Sequence, residues 1–327
     1  MKNYQVIGIG NAIVDVLSTA DDSFLDLMGI EKGIMQLVDR ERGEMLYAAM
    51  KDRRQAPGGS VANTVAGIGA LGLSTAFIGR VHDDALGRFY ARSMAEEGTD
   101  FVNPPVPGGE LPTSRSMIFV SPDGERSMNT YLGISSELGP EDVSDTVAGR
   151  AQILFLEGYL YDKDKGKAAF ERAAKLTRAS GGKAGIALSD PFCVDRHRDS
   201  FRRLVKDLDY VIGNEHEWMS LYQTDLSAAL EQAAADAGTV VCTRSGHDVV
   251  IVRGSEQAVV PVRRVTPVDA TGAGDQFAAG FIYGLATGAP LAVAGRMGCV
   301  AAAEVIGHFG ARPEADVKAL FRAEGLI

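Results

Sequence analysis

Short apolar runs alternate with longer amphipathic segments along nearly the whole chain: "QVIGIG", "SVANTVAGIGALG", "STAFIGRV", "ALGRFYARSMAEEG", "AQILFLEGYL", "KAAFERAAKLTRAS", "AGIALSD", "FRRLVKDL", "DYVIGNE", "LEQAAADAG" and "TVVCTRSG". A run that is apolar at every position suits a strand buried on both faces, and apolar residues spaced three and four apart suit the helices that cover it. The alternation therefore predicts an α/β fold with a mostly parallel sheet covered by helices on both faces. Its 327 residues, 46% of them apolar, are enough to fill one substantial core. No fixed-period repeat or low-complexity linker divides the chain, so one domain over 1–327 is expected. Ligands of such sheets bind beyond the carboxyl ends of the strands, and Asn11, Glu157, Asp190, Asn214 and Thr243 each follow an apolar run.

Two regions break the rhythm. Residues 15–40 and 100–133 carry short alternating pieces, such as "TSRSMIFVS" and "RSMNTYL", around the turn "PDG". They read as antiparallel strands of a small sheet outside the main one, a lid inserted in the domain. Such strands can pair between subunits or cover the site within one chain, so a monomer and a homodimer both remain open.

The charge balance narrows the partners. With 33 basic and 43 acidic residues the formal charge is −10, and no block of Lys or Arg forms a track for a polyanion, so nucleic acid is not an expected partner. Cys193, Cys242 and Cys299 are an odd number, far apart and without metal-ligand spacing, and read as reduced core thiols of a cytoplasmic protein. The first residues lack a cleavage pattern and read as a strand, while the apolar run 291–306 contains Arg296 and Glu304 and reads as an internal helix, so no membrane association is expected.

The stretch "VDATGAGDQFAAGFIYGL", 268–285, sets small residues before a carboxylate and then a helical pattern built on Phe277, Phe281, Ile282 and Leu285. The amides of Gly272, Ala273, Gly274 and Asp275 would lie unbonded at a helix entrance, where the helix dipole adds to their pull on an anion. Glycine lets that anion approach the backbone. A carboxylate in a phosphate cradle needs a purpose, and accepting a proton from a hydroxyl that attacks phosphorus supplies one. The same dipole favours the ionised form, so Asp275 is expected to be a weak base at rest. By itself the string also reads as a glycine turn capped by an aspartate. The early "GIGNAIVD" is not a dinucleotide fingerprint, because its third glycine position holds Ile13.

"DATGAGDQFAAGF" resembles the C-terminal signature of the ribokinase (PfkB) family of sugar and nucleoside kinases, and "PGGSVANTVAGIGALG" resembles its other signature. The resemblance runs over essentially the whole chain, since "VIGIGNAIVDVL", "GNEHE" and "VVCTRSG" fall in the family's order. It implies a ribokinase-like three-layer fold with a β-sheet lid, Asp275 as catalytic base and the preceding amides as anion hole. The cofactors implied are ATP and Mg²⁺, with K⁺ in several relatives. "MQLVD", "SPDGERSMNTYLGIS", "EGYLYD", "ALSDPF" and "LDYVIGNEHEW" are most similar to adenosine kinases within the family. The implied reaction is phosphorylation of a nucleoside 5′-hydroxyl. A kinase for a ribose-like sugar or sugar acid, or for inosine or guanosine, is the alternative, and a non-catalytic nucleoside- or sugar-binding regulator is the rival of another class.

By the same resemblance Asn11, Asp15, Gln36, Gly58, Gly59, Ser60 and Asn63 face the substrate, and Arg126 reaches from the lid toward substrate or phosphate. Singly, Asn63 reads as well as a helix cap, Gly58-Gly59 as a turn, and Arg126 as a solvated hairpin residue. Phe119 and Tyr159 are the candidate base-stacking aromatics, with a core role as the alternative for each. Asn214 and Glu217 match the motif associated with Mg²⁺, Glu217 acting through water, and His216 between them reads as a surface side chain. Thr243 and Gly246 match ATP contacts, although His247 and Asp248 stand where relatives have a further glycine. Asp269 resembles a potassium ligand or is an ordinary loop carboxylate. His82 replaces a glycine near the family's substrate pocket and is expected to narrow or re-aim it.

Overall fold

The stretch Tyr4–Ile9 is sealed on both faces, with Val6, Ile7 and Ile9 wholly buried, which is the condition for a strand in the middle of a covered parallel sheet. A computed structural model describes residues 3–327. In chain order its strands are β1 (Tyr4–Ile9), β2 (Ile13–Thr19), β3 (Met35–Leu37), β4 (Arg54–Gly58), β5 (Thr75–Ile78), β6 (Thr99–Phe101), β7 (Ser114–Val120), β8 (Arg126–Tyr131), β9 (Ala151–Glu157), β10 (Lys183–Ala187), β11 (Tyr210–Asn214), β12 (Val240–Arg244), β13 (His247–Arg253) and β14 (Glu256–Val260). The main sheet has the order β14-β13-β12-β11-β10-β9-β1-β5-β6. It is parallel from β12 to β6, and the β12-β13-β14 end is antiparallel. Alternate residues of β9 serve different cores: Leu154 and Leu156 pack on one side, Ile153 and Phe155 on the other. Helices cover both faces, giving the ribokinase-like α/β architecture that the alternating pattern and the resemblance imply.

The second sheet has the order β3-β8-β7-β2-β4. It is mixed, which corrects the expectation of antiparallel strands: β2 pairs in parallel with β7 and β3 with β8, while β7–β8 and β2–β4 are antiparallel. Its strands also depart from the expected segments. Arg54–Gly58, outside both, supplies β4, and Thr99–Phe101 belongs to the edge of the main sheet. The period-two alternation of β2 buries Val14 and Val16 and turns Ile13 and Asp15 to the opposite face, over the cleft. Only Gly10, Asn11 and Ala12 separate β1 from β2, so the lid grows directly out of the central strand.

Cys193, Cys242 and Cys299 are all free and buried, as core thiols. Among the described residues no helix is long and apolar enough to cross a membrane.

Candidate active site

The helix Ala273–Ala286 buries Phe277, Phe281 and Ile282 and presents its N-terminus at the cleft. Its cap, Gly272, has φ +79°, a left-handed conformation, and a Cβ built there would lie 2.6 Å from the Ala311 Cα. Among the described residues the amides of Gly272, Gly274 and Asp275 donate to no protein acceptor, whereas the Ala273 N–H closes the turn on the Ala270 carbonyl at 3.2 Å. The cradle therefore has three amides, one fewer than the string suggests, because a turn of this tightness consumes one donor itself.

Asp275 is the third residue of that helix. Its Oδ1 accepts from Ser60 Oγ at 2.6 Å and its Oδ2 from Asn63 Nδ2 at 3.0 Å, and its carbonyl accepts from Thr64 Oγ1 at 3.0 Å. All three donors lie on the helix Ser60–Ala70, whose N-cap is Gly59, so the two family signatures meet at this carboxylate. Burial raises the Asp275 pKa to about 6, against the lowering effect of Ser60 and Asn63. The sequence predicts a weak base; loss of hydration outweighs the two hydrogen bonds and makes this carboxylate a stronger base than an ordinary aspartate.

Asp15, Asn11 and Glu157 line the same cavity as Asp275. Gly58 sits against Asp15, where a Cβ would come within 2.5 Å of a carboxylate oxygen. Burial raises Asp15 to about 7, moderated by the positive charges of Arg312 and Arg126 and reinforced by Asp275. Glu157, also raised to about 7 by burial, accepts from the Asn11 amide at 3.1 Å, Asn11 Nδ2 at 2.7 Å and the Val61 amide at 3.1 Å. Asn11 Oδ1 accepts from Ser135 Oγ at 2.9 Å, so both ends of that amide are engaged within the protein. Over this floor the lid places Met35, Leu37, Met128 and Leu132, with Ser116 and Thr130 between them, on a cavity of about 740 Å³.

The same cavity runs on past Tyr159, Ser189 and Asp190 to Asn214, Glu217 and Thr243. Asn214 and Glu217 form a reciprocal cap: Asn214 Oδ1 accepts the Glu217 amide at 3.0 Å, while Glu217 accepts Asn214 N at 2.8 Å and Asn214 Nδ2 at 2.7 Å. Burial lifts Glu217 to about 7. His216 is exposed, as expected of a surface side chain.

Several expected contacts fall elsewhere. Gly246 lies exposed at the tip of the β12–β13 hairpin, off the cavity, because the turn needed for antiparallel pairing carries it outward. Phe119 is a core residue, buried and 5.4 Å from the Phe24 ring, since its position in β7 faces away from the cleft. Gln36 donates to Asn129 Oδ1 at 2.8 Å within the lid and does not line the cavity. His82 does not line it either: its amide donates to Thr113 Oγ1 at 3.0 Å and its Nε2 lies 3.0 Å from the Gly108 carbonyl.

Arg126 is paired rather than free. Its Nη2 lies 3.1 Å from Asp269 Oδ2, with the two side chains 9% and 8% exposed, and its guanidinium stands over the Phe309 ring at 5.6 Å. Asp269 also accepts from Thr271 N at 3.0 Å, Thr271 Oγ1 at 2.7 Å and Gly310 N at 3.0 Å. The nearby Ile306 carbonyl accepts the Val268 amide at 2.7 Å. These oxygens are filled by protein donors, one of them already a cation, so the residues do not fit a potassium site.

The sequence alone assigns no specific role to five features of this region. Glu157 was visible only as a carboxylate closing an apolar run. The apolar lid wall and Phe192, 75% exposed at the cavity wall, were hidden in segments read for other reasons. Ser116 and Thr130 are joined by a 2.9 Å hydrogen bond across two strands. Arg312, whose Nε donates to Asn63 Oδ1 at 3.1 Å, gave no local signal at all.

Unbonded amides at a helix entrance and a buried carboxylate meet on one cleft at the carboxyl ends of a parallel sheet, an arrangement that suits an α/β phosphotransferase. The pattern of the pfkB family carbohydrate kinases matches residues 27–318, and the chain belongs to that family. It is 43% identical to the solved adenosine kinase of Sinorhizobium meliloti, with a TM-score of 0.90 over 99% of this chain and 100% of that one. It is 42% identical to a "probable sugar kinase protein" of Rhizobium etli CFN 42, with a TM-score of 0.91 over the whole of both chains. The ATP-dependent ribose-1-phosphate kinase of Halopiger xanaduensis is 29% identical over 85% of this chain and 90% of its own. The chain is thus an ATP-dependent kinase whose acceptor is a hydroxyl group.

Proposed function

We propose that this kinase phosphorylates the 5′-hydroxyl of a nucleoside, adenosine first among them, with Asp275 as general base. The observation that carries the choice of acceptor is the lid wall: Met35, Leu37, Met128 and Leu132 face a cavity of about 740 Å³, an apolar surface that suits a flat purine and offers little to a hydroxyl-covered sugar. The likeness to an adenosine kinase at 43% identity supports the same reading. Asp15 and Ser60 accept and orient the ribose hydroxyls. As the acceptor oxygen bonds to the γ-phosphorus, its proton passes to Asp275, the bond to the β-phosphate oxygen breaks, and the amides of Gly272, Gly274 and Asp275 hold the transferred oxygens.

Asn214 and Thr243 line the nucleotide end. Among the described residues no three His, Cys, Asp or Glu side chains are grouped to chelate a metal, which suits a hydrated ion arriving with the nucleotide. Glu217, with Asp190 beside it, would hold Mg²⁺ through water. When bound, the ion neutralises charge on the phosphoryl oxygens.

A coupled assay for ADP over nucleosides, ribose, fructose and ribose 1-phosphate tests the reading. Adenosine is expected to give the highest kcat/KM, and Asp275→Asn to lower kcat by about 10³-fold or more with the KM for ATP little changed. Efficient turnover of a sugar or sugar phosphate with none of any nucleoside would replace this acceptor with a sugar, the alternative supported by the ribose-1-phosphate kinase likeness.

A further inference from the structure

Arg312 lies in the loop after the helix Leu291–Val305, in the segment that packs on the cradle: the Ala311 carbonyl accepts from Gln276 Nε2 at 3.0 Å, and the same Nε2 donates to the Asn63 carbonyl at 3.2 Å. From there the guanidinium reaches three partners at once. Nη1 pairs with Glu97, Nη2 donates to Met94 Sδ at 3.4 Å, and Nε donates to Asn63 Oδ1 at 3.1 Å. Asn63 is 5% exposed and passes its other end, Nδ2, to Asp275 Oδ2 at 3.0 Å.

The sense of this chain is fixed by its ends. A guanidinium has donors only, so the Asn63 oxygen must face it and the NH₂ must face Asp275. That orientation suits an ionised Asp275, which only accepts. It opposes a proton on Oδ2, because an NH₂ cannot accept it and turning the amide over would point the NH₂ at Arg312. We propose that Arg312 is a positioning residue for phosphoryl transfer, which locks the Asn63 amide so that Asp275 is held as a proton acceptor and returned to that state after each turnover. The inference rests on the reading of Asp275 as the base.

Asp275 is also faced by Asp15 from β2, by Glu157 at the end of β9 and by Tyr159 just beyond it, while Arg126 of β8 lies toward Asp15. A change in pH profile on removing Arg312 therefore has two sources, the amide lock and the field at Asp15, and the experiment must separate them. Arg312→Met is expected to lower kcat about tenfold, to leave the KM for ATP unchanged, and to move the acid limb of the kcat profile upward. In an Asn63→Ala background, Arg312→Met is expected to have little further effect on either. Unchanged kcat and limb in Arg312→Met, or an undiminished effect in the Asn63→Ala background, overturns the inference. Should Arg312→Met not fold, Arg312→Lys keeps the charge opposite Glu97 while losing the Nε donor, and the same cycle is read on it. Retained turnover in Asp275→Asn would instead remove the base itself, a distinguishable failure.

Discussion

Asp275 is pulled two ways: the helix entrance and two hydrogen bonds favour its charge, and burial opposes it with the larger effect. Because the folded chain binds this proton between the ordinary 3.8 and about 6, where the unfolded chain releases it, stability falls as pH rises through that window. Asp275→Asn keeps its shape, and the Ser60 hydroxyl can turn from donor to acceptor. The variant is expected to unfold at a higher temperature than the parent at pH 8, by the equivalent of about 1–3 kcal/mol, and to lose that advantage as the pH approaches 4. Calorimetry at the two pH values checks this; an unstabilised variant at pH 8 would contradict the raised pKa. The residue itself was legible in the sequence because its glycines and the following helix are contiguous with it. Arg312 was not, since its contact with Asn63 spans 249 positions.

At the level of elements, the cradle depends on one backbone conformation. Gly272→Ala places a side chain at φ +79° and against Ala311, and is expected to destabilise the fold by about 1–3 kcal/mol and raise the KM for ATP. Thermal unfolding and initial rates read the two effects, and a variant with parental values for both would show that the turn is not constrained. The same level shows why part of the lid was illegible. The strands β7 and β8 flank a recognisable turn, but β4 is "RQAPG", whose Pro57 and Gly58 argue against a strand. It forms because β4 is the edge of its sheet, where a missing N–H is tolerated. The parallel pairing of β2 with β7 joins segments about a hundred residues apart, and no local pattern encodes it.

Across the whole molecule, the pair Arg126–Asp269 ties the lid to the loop that leads into the cradle. With a guanidinium already beside Asp269, turnover is expected to be equal in potassium, sodium and tetramethylammonium chloride at matched ionic strength. Severalfold stimulation by potassium alone would show that an ion displaces the arginine. Domain-scale coupling of this kind depends on two distant side chains meeting, so Asp269 and Arg126 were each legible as charged residues and their partnership was not.

Both members of that pair are less than a tenth exposed. Separating them would leave each buried charge without its counterpart, so the pair acts as a clasp that holds the smaller sheet against the loop before the helix Ala273–Ala286.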